Sequence, residues 1–263
     1  MRFLNQKNRS ILREMIVTDF KVRYQGSVLG YAWSVLRPLF LFVILYVVFV
    51  KFLRIGGDIP HYPVYLLMGI VFWNFFAEAT TTSMNSIVNQ GGLLKKINIP
   101  RYLVVVSSAI SAFINLSINF VVLFGMALLN GVRPMESWLL LPIIVLELFV
   151  FAMALGFFLS ALFVKYRDAS YVWEVLLQAG FYATPILYPL TLVAEKFRPY
   201  IMLNPMAQIV QDGRWAFVSH ETLSSWKVLS LPYLLIPYVI ILAFVLLAYK
   251  YFKSQAKNFA ENI

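Results

Sequence analysis

From Trp138 to Val164 the chain carries a single ionisable side chain, Glu147. A helix needs only about 20 such residues to cross a hydrocarbon core roughly 30 Å thick. Five more stretches are long and apolar enough, near 31–53, 62–83, 102–129, 170–188 and 230–250, so six transmembrane helices are expected. Barrel strands alternate over about 10 residues, and no such pattern replaces these runs. Composition agrees: 61% of the 263 residues are hydrophobic and 13% charged, against about 45–50% and 25% in soluble domains. So few charges cannot coat a soluble surface around that much apolar chain. With no cysteine, the numbers exclude a soluble enzyme, a disulfide scaffold, a Cys-ligated metal site and a disordered chain. What remains is an all-α integral membrane protein, read as one domain over 1–263.

The first span is the least regular. Its charge-free run from Pro38 to Phe49 is too short alone, so it borrows Tyr31 to Leu36. That brings Arg37 to a boundary or a polar cavity, because an arginine at the centre of a lipid-facing helix costs about 2.5–3.5 kcal/mol. Fifteen of the 22 Lys and Arg flank the N-terminal side, among them Lys95, Lys96, Arg101, Lys165 and Arg167. Seven, including Arg133, Arg198 and Arg214, flank the other. The excess places both termini in the cytoplasm. The net charge of +10 then serves as an orientation signal and an attraction to anionic lipid, with no nucleic acid required. No cleavable signal peptide is expected, and no internal repeat suggests an inverted-repeat transporter.

Three segments fall outside plain spans. Residues 9–24 read as an amphipathic helix in the membrane interface, with Ile11, Leu12, Met15, Ile16, Phe20 and Tyr24 on one side. Arg9, Arg13, Glu14, Asp19 and Lys21 lie largely on the other. Such a helix is a simple anchor, or a place where Arg13, Lys21, Arg23 and Arg37 meet a phosphate-bearing headgroup. Residues 84–101 read as a short helix broken at Gly91-Gly92 and closed by Pro100, either an inert loop or a surface for a cytoplasmic partner. Segment 183–229 carries Pro185, Pro189, Pro199 and Pro205 and is too apolar for a free loop. Two re-entrant helices, roughly 185–198 and 203–218, are expected there as a lid or a packing plug. Ser107, Ser111, Asn115 and Asn119 form a polar stripe on the third span, for close packing or for a hydrated passage.

Catalytic chemistry is missing. His61 and His220 are far apart in sequence, and no metalloprotease, serine-hydrolase or phosphate-cradling P-loop motif occurs. Glu78, Glu147 and Glu174 lie in or beside spans. Only Glu147 is deep, which leaves a proton-coupled transporter using Glu147 as the second reading. Aromatic residues make up 17% of the chain. Trp33, Tyr62, Trp138 and Trp226 suit interfacial belts. Phe42, Tyr46 and Phe49, with Phe72, Trp73, Phe75 and Phe76, either pack or offer rings on which sugar faces slide.

The run Lys21-Val-Arg-Tyr-Gln-Gly-Ser-Val-Leu-Gly-Tyr-Ala-Trp-Ser34 through Pro38 resembles the N-terminal segment of bacterial type-2 ABC permeases for polysaccharide export. These permeases move lipid-linked O-antigen, capsular polysaccharide or teichoic acid. Leu94 to Arg101 (LKKINIPR), Lys165-Tyr-Arg-Asp168 and Leu203-Asn-Pro-Met206 agree with it, and the likeness spans essentially the whole chain. Arg37 and Ile99 depart from the family pattern. The resemblance implies a homodimeric, multi-pass permease in the bacterial inner (plasma) membrane, bound to two copies of an ABC ATPase that carries the ATP and Mg, with no cofactor in this chain. It implies an ATPase-coupling segment over 84–99, with Asn85, Ile87, Asn89, Gln90, Leu93 and Lys95. It implies gate helices over 185–218, with Pro185, Tyr188, Pro189, Asn204 and Pro205. Phe42, Tyr46, Phe49, Trp73 and Phe76 would line a glycan channel, and Arg13, Lys21, Arg23 and Arg37 would meet the undecaprenyl pyrophosphate. An O-antigen-like glycan is the first expectation, with teichoic acid or capsule next.

Overall fold

The computed structural model describes residues 6–24, 26–54, 59–97 and 99–256, without the side chains of Phe20, Arg23, Tyr24 and Tyr31. Every regular element among them is helical. In chain order these are α1 (Gln6–Tyr24), α2 (Trp33–Tyr46), α3 (Tyr62–Asn89), α4 (Gly91–Lys96), α5 (Arg101–Leu129) and α6 (Leu141–Lys165). Then follow α7 (Ala169–Ala183), α8 (Arg198–Met202), α9 (Pro205–Phe217), α10 (Ser225–Val228) and α11 (Ile236–Gln255). A π-helical stretch prolongs α2 to Phe52, and 3-10 turns precede α6 and α11.

α3 is the centre of the bundle, packed on α5 and α6 along its length, with α2 and α7 against it further out. Its sequence is apolar all round over Val64 to Phe72, the pattern of a helix enclosed on every side, and those side chains are buried. α6 approaches closely because Gly156 faces α3: a Cβ there would stand 2.7 Å from the Ser83 Cβ. α11 packs on α6, and α1 on α5. Ile11, Leu12 and Met15 of α1 meet Leu103 and Val104, while Arg13, Glu14 and Lys21 are exposed. Asp19, expected on the polar outer side, turns inward and accepts from Gln90 Nε2 (3.2 Å) and Ser107 Oγ (3.4 Å).

Pro38 explains the weak first span. It lies inside α2 and has no N–H for the carbonyl of Ser34, four residues back. Asn119 Nδ2 of α5 donates to that carbonyl at 3.1 Å. That carbonyl is thus met from a neighbouring helix.

Among the described residues five helical stretches, where six were expected, are long and apolar enough to cross a membrane: Trp33–Phe52, Tyr62–Asn89, Arg101–Leu129, Glu136–Lys165 and Tyr233–Gln255. The expected span over 170–188 is cut short because Thr184 precedes Pro185. A proline disfavours the helical region for the residue before it, and Thr184 is extended at φ −88°, ψ 135°. α7 therefore has 15 residues and a length of about 22 Å. Residues 185–197 form no α-helix. They hold two 3-10 turns, Leu190–Leu192 and Glu195–Phe197, while α9 occupies the expected second helix, 203–218. Near 84–101 the break falls at Gln90: residues 84–89 complete α3, and Gly91-Gly92 open α4 instead of breaking a helix.

Candidate functional site

Along α3, Asn74, Glu78, Thr82, Asn85 and Asn89 recur at steps of three and four, so they share one face. That face looks into two cavities. One, of about 500 Å³, lies between α2, α3 and α5 and is lined by Trp33, Arg37, Asn74, Glu78, Asn115 and Asn119. The other, of about 910 Å³, lies between α1, α3 and α4 and is lined by Glu14, Thr18, Asp19, Asn85, Asn89 and Gln90. Thr81 and Thr82 line both. The two cavities therefore meet at one turn of α3 and make a polar track from the end of the bundle that carries α1 and α4 into its middle.

Neutral amides and hydroxyls are the commonest polar groups along walls that are otherwise mostly apolar. Asn115 Nδ2 donates to Glu78 Oε1 at 2.7 Å, and Asn119 Nδ2 also reaches the Asn115 carbonyl at 2.8 Å. Arg37 is exposed and lines the inner cavity, the polar setting its place in an apolar run demands. Amides and hydroxyls suit a hydroxyl-rich ligand, the guanidinium an anionic oxygen, and the half-exposed Trp33 ring the face of a sugar. No group of three His, Cys, Asp or Glu able to hold a metal occurs among the described residues.

The other expected site residues are spread over the molecule. Arg13 and Lys21 sit on the exposed side of α1, and the Arg23 side chain lies outside the described residues. Phe42, Trp73 and Phe76 are buried within this single chain, with Tyr46 and Phe49 packed against them. Trp73 meets Phe181 edge-on at 6.0 Å, and Phe76 stacks on Phe151 at 5.4 Å. Asn85, Asn89, Gln90 and Leu93 line the outer cavity. Ile87 turns the opposite way, into Val105, Ala161 and Val164, and Lys95 is exposed.

At the far end, Pro185 and Pro189 are buried, Tyr188 is half-buried, and Asn204 caps α9, accepting from the Met206 N–H at 3.0 Å with Pro205 in the first turn. The group that organises this end is Arg214, counted above as a flanking charge and in fact wholly buried. Its guanidinium donates to the carbonyls of Tyr65 (3.0 Å), Pro185 (2.5 Å) and Ile186 (2.7 Å) and to Gln211 Oε1 (3.2 Å). It also lies over the Tyr65 ring at 3.6 Å. Gly69 makes the room: a Cβ there would stand 2.5 Å from the guanidinium. One side chain thus ties α9 and the broken segment after α7 to α3.

Beside it, Gln208 Nε2 joins Asp212 Oδ2 (2.8 Å), Tyr238 (3.3 Å) and Glu147 Oε2 (3.4 Å). Asp212 also accepts from the Ser225 N–H at 2.6 Å and its hydroxyl at 2.7 Å, which fixes the start of α10. Burial pushes the Asp212 carboxyl above its ordinary range, against the pull of the Ser225 and Gln208 hydrogen bonds. Glu147 Oε1 has no hydrogen-bond partner among the described residues.

The sequence matches the ABC-2 type transporter family over residues 12–218. It is 32% identical over 202 residues to an O-antigen export system permease protein RfbA of Klebsiella pneumoniae, covering 76% of this chain and 77% of that one. It is 27% identical over 259 residues to RfbA of Myxococcus xanthus, with 97% and 96% covered. Identity is 21% over 204 residues to the polysialic acid transport protein KpsM of Escherichia coli, with 77% and 79% covered.

Proposed function

This chain belongs to the ABC-2 type transporter family, and from that premise we propose that it moves an undecaprenyl-pyrophosphate-linked, O-antigen-like polysaccharide across the bacterial inner membrane. It is a polysaccharide-export permease of the ABC type, so hydrolysis belongs to a separate ABC ATPase, bound in two copies by a homodimer of this chain. Both termini face the cytoplasm, in keeping with the basic residues at that end. The observation that carries the reading is the junction of the two cavities at Thr81 and Thr82. A lipid-linked glycan needs polar groups for its sugars and a cation for its phosphates while its tail stays in lipid, and the track offers the first two beside an opening under α1.

Exposure of α7 supports the dimer. Glu174 and Gln178 lie on its open side with Tyr171, Val175 and Tyr182. Carboxylates and amides are costly against lipid and inexpensive against water or a protein partner. A second copy across a water-filled passage supplies both.

The test is export in proteoliposomes containing the permease, its ATPase and a lipid-linked glycan. Thr81→Leu and Thr82→Leu, which narrow the junction without touching the core, are expected to lower glycan transport by roughly tenfold, about 1.4 kcal/mol in barrier, with assembly unchanged on a sizing column. Wild-type transport by both variants would remove the track from the path.

A further inference from the structure

The chain has two histidines, and the fold brings both to one groove at the end of the bundle away from α1 and α4. The groove measures about 360 Å³ and lies between the start of α3, the turn after α5 and the turn after α9. His61, Arg133, Ser219, His220 and Glu221 line it, and Arg133, His220 and Glu221 are exposed at its rim. Its volume falls within the roughly 300–1,000 Å³ of small-ligand pockets. It shares no lining residue with either cavity of the track.

Both rings are fixed, and their hydrogen bonds decide which nitrogen carries the proton. His61 Nδ1 stands 2.8 Å from the Asn130 carbonyl, which can only accept, so Nδ1 is the donor. His220 Nε2 stands 2.9 Å from Ser137 Oγ, whose own hydrogen goes to the Ala216 carbonyl at 2.7 Å, so Nε2 is the donor there. Each neutral ring is left with a lone pair on its other nitrogen, Nε2 of His61 and Nδ1 of His220. His61 holds its place in the left-handed region (φ 55°, ψ 37°), which a non-glycine residue keeps only where its surroundings over-determine it. His220 is stacked on Trp215 with ring centroids 4.3 Å apart, and the exposed Trp226 meets Trp215 edge-on at 4.6 Å.

We propose that this groove holds one sugar unit of the polysaccharide as it leaves the permease, an inference that rests on the export function proposed above. A sugar hydroxyl both donates and accepts, and the lining offers both kinds of partner. Two imidazole lone pairs and a carboxylate accept, while a guanidinium and the Ser219 hydroxyl donate. The Ser219 oxygen already accepts from the Glu221 N–H at 3.2 Å, which leaves its hydrogen for a ligand. The same chemistry turns other occupants away. A phosphate needs donors, so the two lone pairs and the Glu221 carboxylate oppose it. A metal ion finds too few ligands, since no group of three His, Cys, Asp or Glu able to hold one occurs among the described residues.

The experiment uses the histidines as reporters, because both histidine signals of this chain come from the groove. Untagged permease with isotope-labelled histidine, bound to its unlabelled ATPase in nanodiscs, is followed by NMR at a pH of about 8, above the ordinary range of imidazole. The probe titrated in is the oligosaccharide that mild acid releases from the cell's own lipid-linked glycan. Both signals are expected to shift along one binding curve. Arg133→Gln, an exposed substitution, is expected to raise the Kd roughly tenfold, the size of one charge-assisted contact. Lys51→Gln, near the end of α2 and outside the lining, is expected to leave it unchanged. No shift of either signal overturns the proposal, as does an equal effect of the two variants. A shift that inorganic phosphate produces as well, or that EDTA abolishes, overturns it in favour of an anion or a metal site. The titration needs neither nucleotide nor transport, so a failed export assay leaves the binding curve readable. A complex that exports while both signals stay still refutes the groove alone.

Discussion

Arg214 and Glu147 show that a charged residue in an apolar chain is explained by its partners, not by its depth. Arg214 is buried with no ion-pair partner among the described residues, and its hydrogen bonds to three carbonyls and one amide come from three separate pieces of chain. A lysine has a point charge in place of a planar fork and cannot reproduce those directions. Arg214→Lys is expected to cost about 2–4 kcal/mol, and Arg214→Met a similar amount because it strands three buried carbonyls. Denaturant unfolding in detergent measures both, and a loss below about 1 kcal/mol would show that water replaces the guanidinium. Glu147 is the opposite case, held by one 3.4 Å contact from Gln208. Glu147→Gln keeps its shape and is expected to leave ATP-driven export at the wild-type rate. A pH gradient that drove transport by the wild type and not by this variant would favour proton coupling instead.

At the scale of elements, α2 and α5 depend on each other through the Ser34 carbonyl, to which Pro38 has no N–H to donate and Asn119 does. Asn119→Ala removes that donor from the half-buried Ser34 carbonyl, and a hydrogen bond of this kind contributes about 0.5–1.5 kcal/mol. Asn119→Ala is therefore expected to lower the unfolding midpoint, and Asn119→Ala combined with Pro38→Ala to recover much of it, since the backbone N–H returns to the helix. Lack of recovery would locate the value of Asn119 in its contact with Asn115. Such pairings are only half legible in sequence. The apolar periods of α3, α5, α6 and α11 stand out because hydropathy alone places them. The end of α7 was legible too, in Thr184-Pro185, but a hydropathy run hides it. The polar stripe of α3 follows from simple spacing from Asn74 to Asn89, although the more regular stripe on α5 draws the eye first. The inward turn of Ile87 and Asp19 could not be read, because only the packing of α3 on α5 and α6, and of α1 on α5, decides which side of each helix is inside. Arg214 was unreadable for a related reason: its acceptors are backbone carbonyls, which leave no trace in residue identity.

For the whole molecule, the uneven covering of its helices is the guide to assembly. α3 is enclosed by its own chain, while α7 has no buried residue at all and presents Tyr171, Glu174, Val175, Gln178 and Tyr182 on its open side. α11 is also open, but through Val239, Leu242 and Leu246, side chains that lipid accepts without cost. The two open faces thus differ in chemistry, and in the proposed homodimer α7 faces the second copy while α11 faces the bilayer. The chain has no cysteine, so single cysteines report this directly. A disulfide needs Cα atoms about 4.4–6.8 Å apart, so only residues close to a twofold axis link to their own copies. In membranes under mild oxidation, some of a series of cysteines walked along α7, Val175→Cys and Gln178→Cys among them, are expected to give covalent dimers with a helical period. Leu242→Cys on α11 is expected to give none. Linking through Leu242 with none anywhere on α7 would reverse the assignment. The polar track would then need another source for its aqueous far side, because the apolar face of α11 would be the buried interface.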